Sequence, residues 1–130
     1  MFTLDIGGEG RHPEAWNLNI SRLQTLGPEK GLPIRRWIFG RSTCLPFADG
    51  TVDRIIMEKT PLTRVAIGEM VRVLKPGGEI VLRHFHGGGE HPHGWARKMI
   101  RGQVSIGRAR LRNQWVEETV IRSVESVELT

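Results

Sequence analysis

The middle of the chain constrains the fold most. Val52 to Met57 includes Ile55-Ile56-Met57, an apolar run with the length of a buried strand. Thr60 can cap a following helix, and Pro61 suits its first position. Leu62, Val65, Ala66, Met70, Val73 and Leu74 fall on one helical stripe. Lys75-Pro76-Gly77-Gly78 stops that helix, because proline lacks an amide hydrogen and glycine frees the backbone. Glu79 to Phe85 reads as a second strand. Strand, helix and strand in this order imply a parallel crossover, which is right-handed almost without exception.

The N-terminal stretch Thr3-Leu4-Asp5-Ile6-Gly7-Gly8-Glu9-Gly10 adds a second constraint. Phe2 to Ile6 reads as a buried strand that ends in a glycine turn. Glycine has no Cβ, so a ligand can lie against such a backbone. In open α/β sheets the turn after the first strand is where nucleotide-like ligands sit. A brief strand is expected around Trp16 to Leu18, a helical turn at Ser21 to Leu26, and a third strand at Ile34 to Phe39. Trp95 to Arg101 fits a short helix. Val104 to Arg112 alternates in part, and Asn113-Gln114 can turn it into a last strand through Val120 to Leu129. Val116, Val120, Val124 and Val127 also match helical spacing, but the β-branched content favours strand.

A length of 130 residues predicts one domain, 1–130. No apolar run approaches 18 residues, and no charged and then apolar leader opens the chain, so neither a membrane span nor a secretion signal is expected. The single cysteine, Cys44, fits a reducing, cytoplasmic setting and is expected as small packing after the third strand. The net charge of +5 favours anionic partners. Between Arg97 and Val116 there are six basic residues and no acid. A solvated face is the expected reading, with nucleic-acid binding through Arg97 to Arg112 as an alternative. Only Trp95 and Trp115 flank the run, a thin platform for stacked bases. No Gly-x-x-x-x-Gly-Lys-Ser/Thr is present, which excludes a P-loop.

Three segments, in matching order, resemble the class I S-adenosylmethionine (SAM)-dependent methyltransferases. Leu4-Asp5-Ile6-Gly7-Gly8-Glu9-Gly10 is similar to the family's acid-x-Gly-x-Gly turn. Leu45-Pro46-Phe47-Ala48-Asp49-Gly50-Thr51-Val52-Asp53 is similar to its approach to strand four. Glu69 to Ile80, containing Arg72-Val73-Leu74-Lys75-Pro76-Gly77-Gly78, is similar to its helix stop before strand five. The resemblance implies a Rossmann-like, doubly wound, mostly parallel sheet with a C-terminal antiparallel hairpin. It also implies SAM as the cofactor. The donor residues it points to are Asp5, Gly7, Gly8, Glu9, Gly10, Asn17, Asn19, Arg41, Ser42 and Glu58.

The ligand positions depart from the family in three places. Glu9 stands where a middle glycine is usual. Asn17 or Asn19 stands where an acid usually accepts the ribose hydroxyls, and asparagine accepts without charge. Arg41-Ser42 stands where an acid often meets the adenine amine; arginine can only donate or stack.

Methyl transfer from a sulfonium is an in-line displacement that needs positioning, and a base only for some nucleophiles. Glu58 is a candidate for the donor's amino group or for the base, and equally a favourable acid at a helix start. His84 or His86, whichever faces the cleft, is the other candidate base. His86, His91 and His93 could hold zinc, but the tract lacks cysteine and repeated spacing, so no metal is expected.

The expected function is SAM-dependent methyl transfer to an unidentified acceptor, with a small molecule preferred. The alternatives are a degenerate binding or assembly module and a basic nucleic-acid-binding domain. The chain shows little material to cover a donor pocket, which predicts a homo-oligomer.

Overall fold

The computed structural model describes residues 1–85 and 91–124. Its elements in chain order are β1 (Thr3–Ile6), β2 (Trp16–Asn19), β3 (Trp37–Phe39), β4 (Val52–Glu58), α1 (Arg64–Val73), β5 (Leu74–His84), α2 (His93–Met99), β6 (Gly102–Leu111) and β7 (Gln114–Ser123). They form one seven-stranded sheet in the order β3-β2-β1-β4-β5-β7-β6. The first five strands pair in parallel, and β7 and β6 close the edge as an antiparallel hairpin. The sheet is thus Rossmann-like, as expected. The strand order reverses between β1 and β4, and ligands of open α/β sheets bind beyond the strand ends at such a switch point.

The core lies on one face. Leu4, Ile6, Leu18, Ile55, Met57, Ile80, Leu82 and Ile121 pack there against Ala66, Ile67, Met70 and Val73 of α1 and Ala96 of α2. Among the described residues, both helices lie on this face and touch each other. The reason is local. Residues 7–15, which join β1 to β2, hold turns and Pro13 and no helix. Charged rows across the strands cover the opposite face instead. Arg54 and Arg122 both reach Glu79, at 3.1 and 3.0 Å. Arg83 reaches Glu58 at 2.9 Å and Glu118 at 2.7 Å. Cross-strand pairs of this kind contribute roughly 0.2–1 kcal/mol each.

Several expectations change in detail. The cap of α1 is Thr63, whose hydroxyl accepts from the Ala66 N–H at 3.1 Å, and not Thr60. The chain first crosses the end of β1: Lys59 takes φ +63° and the Thr60 N–H donates to the Glu58 carbonyl. The later start turns Val65 outward and Ile67 into the core. The helix stop behaves as read. Val52 pairs with Leu74 and Arg54 with Glu79, so Lys75 to Gly78 loop out of the pairing. Ser21 to Leu26 is not helical; the Ser21 hydroxyl bonds the Leu23 backbone, and Leu23 bridges Pro33. Cys44 is exposed rather than packed, because the 41–44 turn carries it outward. Residues 114–123 form strand, not helix.

Candidate functional site

The turn after β1 is braced by its own chain. Gly7 has φ +75°, and its N–H donates to the Leu18 carbonyl at 2.7 Å. A Cβ on Gly7 would overlap the Thr60 hydroxyl, and one on Gly8 would lie 2.6 Å from the Asp5 carboxyl carbon. These two glycines therefore admit neighbouring side chains of this protein. Gly10 differs: it has φ +102°, and a Cβ there would meet nothing within 4 Å. The bare stretch of backbone is at Gly10.

The two asparagines are used by the backbone. Asn17 accepts from the Gly10 N–H at 3.1 Å and donates to the Arg35 carbonyl at 2.9 Å. Asn19 donates to the Gly8 carbonyl at 3.1 Å and accepts from the Ser21 N–H at 2.9 Å. The Glu9 carboxylate accepts from the Thr25 N–H and hydroxyl and from the Leu26 N–H. Arg41 and Ser42 line neither cavity beside the turn.

A cluster of charged groups forms beneath the turn. Glu58 accepts from His12 at 2.9 Å on one oxygen and from Arg83 at 2.9 Å on the other. Burial would push its carboxyl up, but those hydrogen bonds win and hold it at about 2. The bond to Glu58 holds the His12 imidazole above its ordinary value, against burial. Asp5 is the contrast. It is 2% exposed, and its carboxyl makes no hydrogen bond among the described residues. Burial pushes it up to about 7, against the pull of His12. Asp5, Gly7, Gly8, Glu58 and Thr60 line a cavity of about 280 Å³. Leu111 and Arg112, at the tip of the β6–β7 hairpin, also line it.

His84, read as a candidate base, sits in a buried hydrogen-bonded chain. Its Nε2 lies 2.7 Å from the Thr60 carbonyl, which can only accept, so Nε2 carries the hydrogen. Its Nδ1 then accepts from His93 Nε2 at 2.8 Å, and His93 Nδ1 accepts from the Thr119 hydroxyl at 2.8 Å. Burial lowers both rings, His93 to about 3, so the chain is neutral. Both nitrogens of His84 are engaged. Thr119→Val would leave the buried His93 Nδ1 without a donor, an expected loss of about 1–3 kcal/mol in thermal unfolding. An unchanged melting temperature would contradict this hydrogen-bond direction. His86, the other candidate base, lies outside the described residues.

His84 also lines a cavity of about 460 Å³ with Lys59, Pro61, Leu62 and Phe85, beyond the ends of β4 and β5. Two side-chain groups bring potential ligand atoms within 4.8 Å of one another: Asp5, His12 and Glu58, and His91, His93 and Glu117. In the first, Arg83 already supplies positive charge to Glu58. In the second, both nitrogens of His93 are bonded and His91 lies 2.6 Å from Glu117.

His12 and Arg83 were not singled out by the sequence, and Arg112 was named only as the end of the Arg97 to Arg112 basic face. Arg83 could have been found from register alone, because it pairs with Glu58 on the same sheet face.

No protein-family model matches the sequence, and no curated protein matches it. Solved structures do match. A SAM-dependent methyltransferase from Thermotoga maritima has a TM-score of 0.66 at 17% identity, covering 96% of this chain and 82% of that one. A 16S rRNA (adenine(1408)-N(1))-methyltransferase from Catenulisporales acidiphilia, crystallised with its cosubstrate SAM, has a TM-score of 0.62 at 14% identity, covering 98% and 86%. A SAM-dependent methyltransferase from Aquifex aeolicus has a TM-score of 0.60 at 15% identity, covering 95% and 82%. Across the matched structures the chain spans from 44% to 86% of their length. Among the described residues, no helix is long and apolar enough to cross a membrane. Sheet order, the hairpin edge and these likenesses agree: the chain has the fold of the class I SAM-dependent methyltransferases.

Proposed function

We propose that the chain binds SAM with the donor's cationic end in the 280 Å³ cavity and passes its methyl group to a small-molecule acceptor. The observation that carries this reading is the Asp5 carboxyl: buried, unpartnered and beside the switch point. Such a carboxyl, raised to about 7, is readily drawn to a full counter-charge when a cation faces it. When bound, the donor supplies a methyl group on a positively charged sulfur; the S–CH3 bond breaks as the bond to the acceptor forms, leaving a neutral thioether. Asp5 favours the charged reactant over that product, so its role is binding rather than acceleration. His12 and Arg83 keep Glu58 ionised and fixed in place, which holds a second negative charge near the same cavity. Glu58, held at about 2, is a weak base, and both ring nitrogens of His84 are engaged, which favours an acceptor whose nucleophile needs no base from these two residues. The mostly apolar 460 Å³ cavity has the size of a small-molecule seat.

Calorimetry with SAM tests the reading. Saturable heat that weakens in Asp5→Asn is expected. No heat and no thermal shift at millimolar donor would leave a fold without this ligand.

A further inference from the structure

A cavity of about 820 Å³ lies beside the glycine turn and shares Glu9, Arg11, Leu26 and Arg112 with the 280 Å³ cavity. Four arginines line it: Arg11, Arg35, Arg36 and Arg112. Two acids also line it, but Glu9 is bonded to Thr25 and Leu26, and Glu29 accepts from Gln24 at 3.3 Å. None of the four arginines pairs with a carboxylate among the described residues. By contrast, Arg54, Arg72, Arg83 and Arg122 each have such a partner.

Backbone geometry supplies an independent observation. Three non-glycine residues among those described have left-handed φ: Arg36 at +50°, Lys59 at +63° and Arg112 at +57°. All three are basic. Arg36 and Arg112 line the large cavity, while Lys59 and Arg112 line the smaller one beside it. Arg112 is the first residue of a two-residue hairpin turn, since Leu111 pairs with Gln114. Left-handed φ at that position favours glycine. Glycine would fold more easily at each site, yet a cationic side chain stands there. Neighbours also hold the guanidinium groups in place. Arg36 lies 4.6 Å from the centre of the Trp16 ring, and Arg11 donates to the Arg110 carbonyl at 3.1 Å.

We propose that the 820 Å³ cavity is an anion site for a small phosphorylated molecule, gripped by Arg11, Arg36 and Arg112. Planar guanidinium forks match phosphate oxygens two at a time. The volume, about 820 Å³, falls within the small-ligand range of about 300–1,000 Å³. The proposal does not depend on the methyl donor.

The test is titration with sodium pyrophosphate, without SAM, against sodium chloride at equal ionic strength. Saturable one-to-one binding and a raised melting temperature are expected with pyrophosphate alone. Arg112→Gly and Arg36→Gly should each weaken that binding at least tenfold. Neither should lower the melting temperature of the free protein, because glycine accepts the local φ. Arg101→Ala, an exposed basic position outside the cavity, should bind as the parent does. The proposal fails if pyrophosphate does not saturate, if both glycine variants bind normally, or if Arg101→Ala weakens binding equally. It also fails if a single-stranded RNA binds with steep salt dependence while pyrophosphate does not compete.

Discussion

Gly7→Ala is expected to be strongly destabilising. Its Cβ would overlap the Thr60 hydroxyl and lie 3.2 Å from Thr60 Cβ. Left-handed φ adds about 1–2 kcal/mol for a residue with a Cβ. Overpacking adds about 1–3 kcal/mol. Thr60 cannot step aside freely. Its hydroxyl donates to the Ile6 carbonyl at 3.3 Å, and its carbonyl holds the His84 ring at 2.7 Å. The sum, about 2–5 kcal/mol, is a large share of a typical domain's stability and should lower the melting temperature by about 10 °C or more. Gly10→Ala is the control, with left-handed φ but open space. Equal losses in the two variants would mean that backbone conformation, and not Thr60, sets the requirement at position 7.

The second large effect is expected from Asp5→Asn, and it depends on pH. Folding raises the Asp5 carboxyl from 3.8 to about 7. Between those values the folded chain keeps a proton that the unfolded chain has lost. Stability therefore falls as pH climbs from about 4 to about 7, by up to about 4 kcal/mol, and levels off above. Asp5→Asn removes that slope, so it should be markedly more stable than the parent at pH 8 and nearly equal to it at pH 4. Glu58, lowered from 4.5 to about 2, contributes the opposite slope, but in a more acid window. His12, held high mainly by Glu58 and in part by Asp5, loses its contribution as pH rises through its folded value, and that contribution is smaller in Asp5→Asn. Denaturant melts of the two proteins across pH 4–8 check this.

Donor binding should show the same proton. A cation facing Asp5 draws its carboxyl down, so affinity for SAM should rise between pH 6 and pH 8 with proton release, and Asp5→Asn should show neither. S-adenosylhomocysteine, without the sulfur charge, separates the sulfonium from the amino group as the cation sensed. A pH-independent affinity in the parent would remove Asp5 from the ligand.

Local patterns carried what was legible in the sequence. The crossover, the Lys75 to Gly78 stop and the glycine turn are written in adjacent residues, and they assembled as read. The cap of α1 was misplaced because Thr60 and Thr63 are equally good caps in isolation. Only the crossing over β1 decides between them. At the site, Asp5 was visible through its motif, but its missing partner was not. His12 and Arg83 satisfy Glu58 from two other segments and leave Asp5 alone, and that allocation exists only once β1, β4 and β5 are side by side. Glycine patterns also mislead about cause. Gly7 and Gly8 look like room for a ligand and prove to be room for Thr60, Asn17 and Asp5.

Residues 7–15 reach β2 without coiling into a helix. Many α/β proteins meet a negative ligand with a ring of amide hydrogens at the head of such a coil, a fixed dipole that needs no side chain. Here nothing of that kind follows the first strand. In the proposed anion site, recognition of negative charge falls to full charges on arginine side chains, which dissolved salt screens and a single codon change can erase.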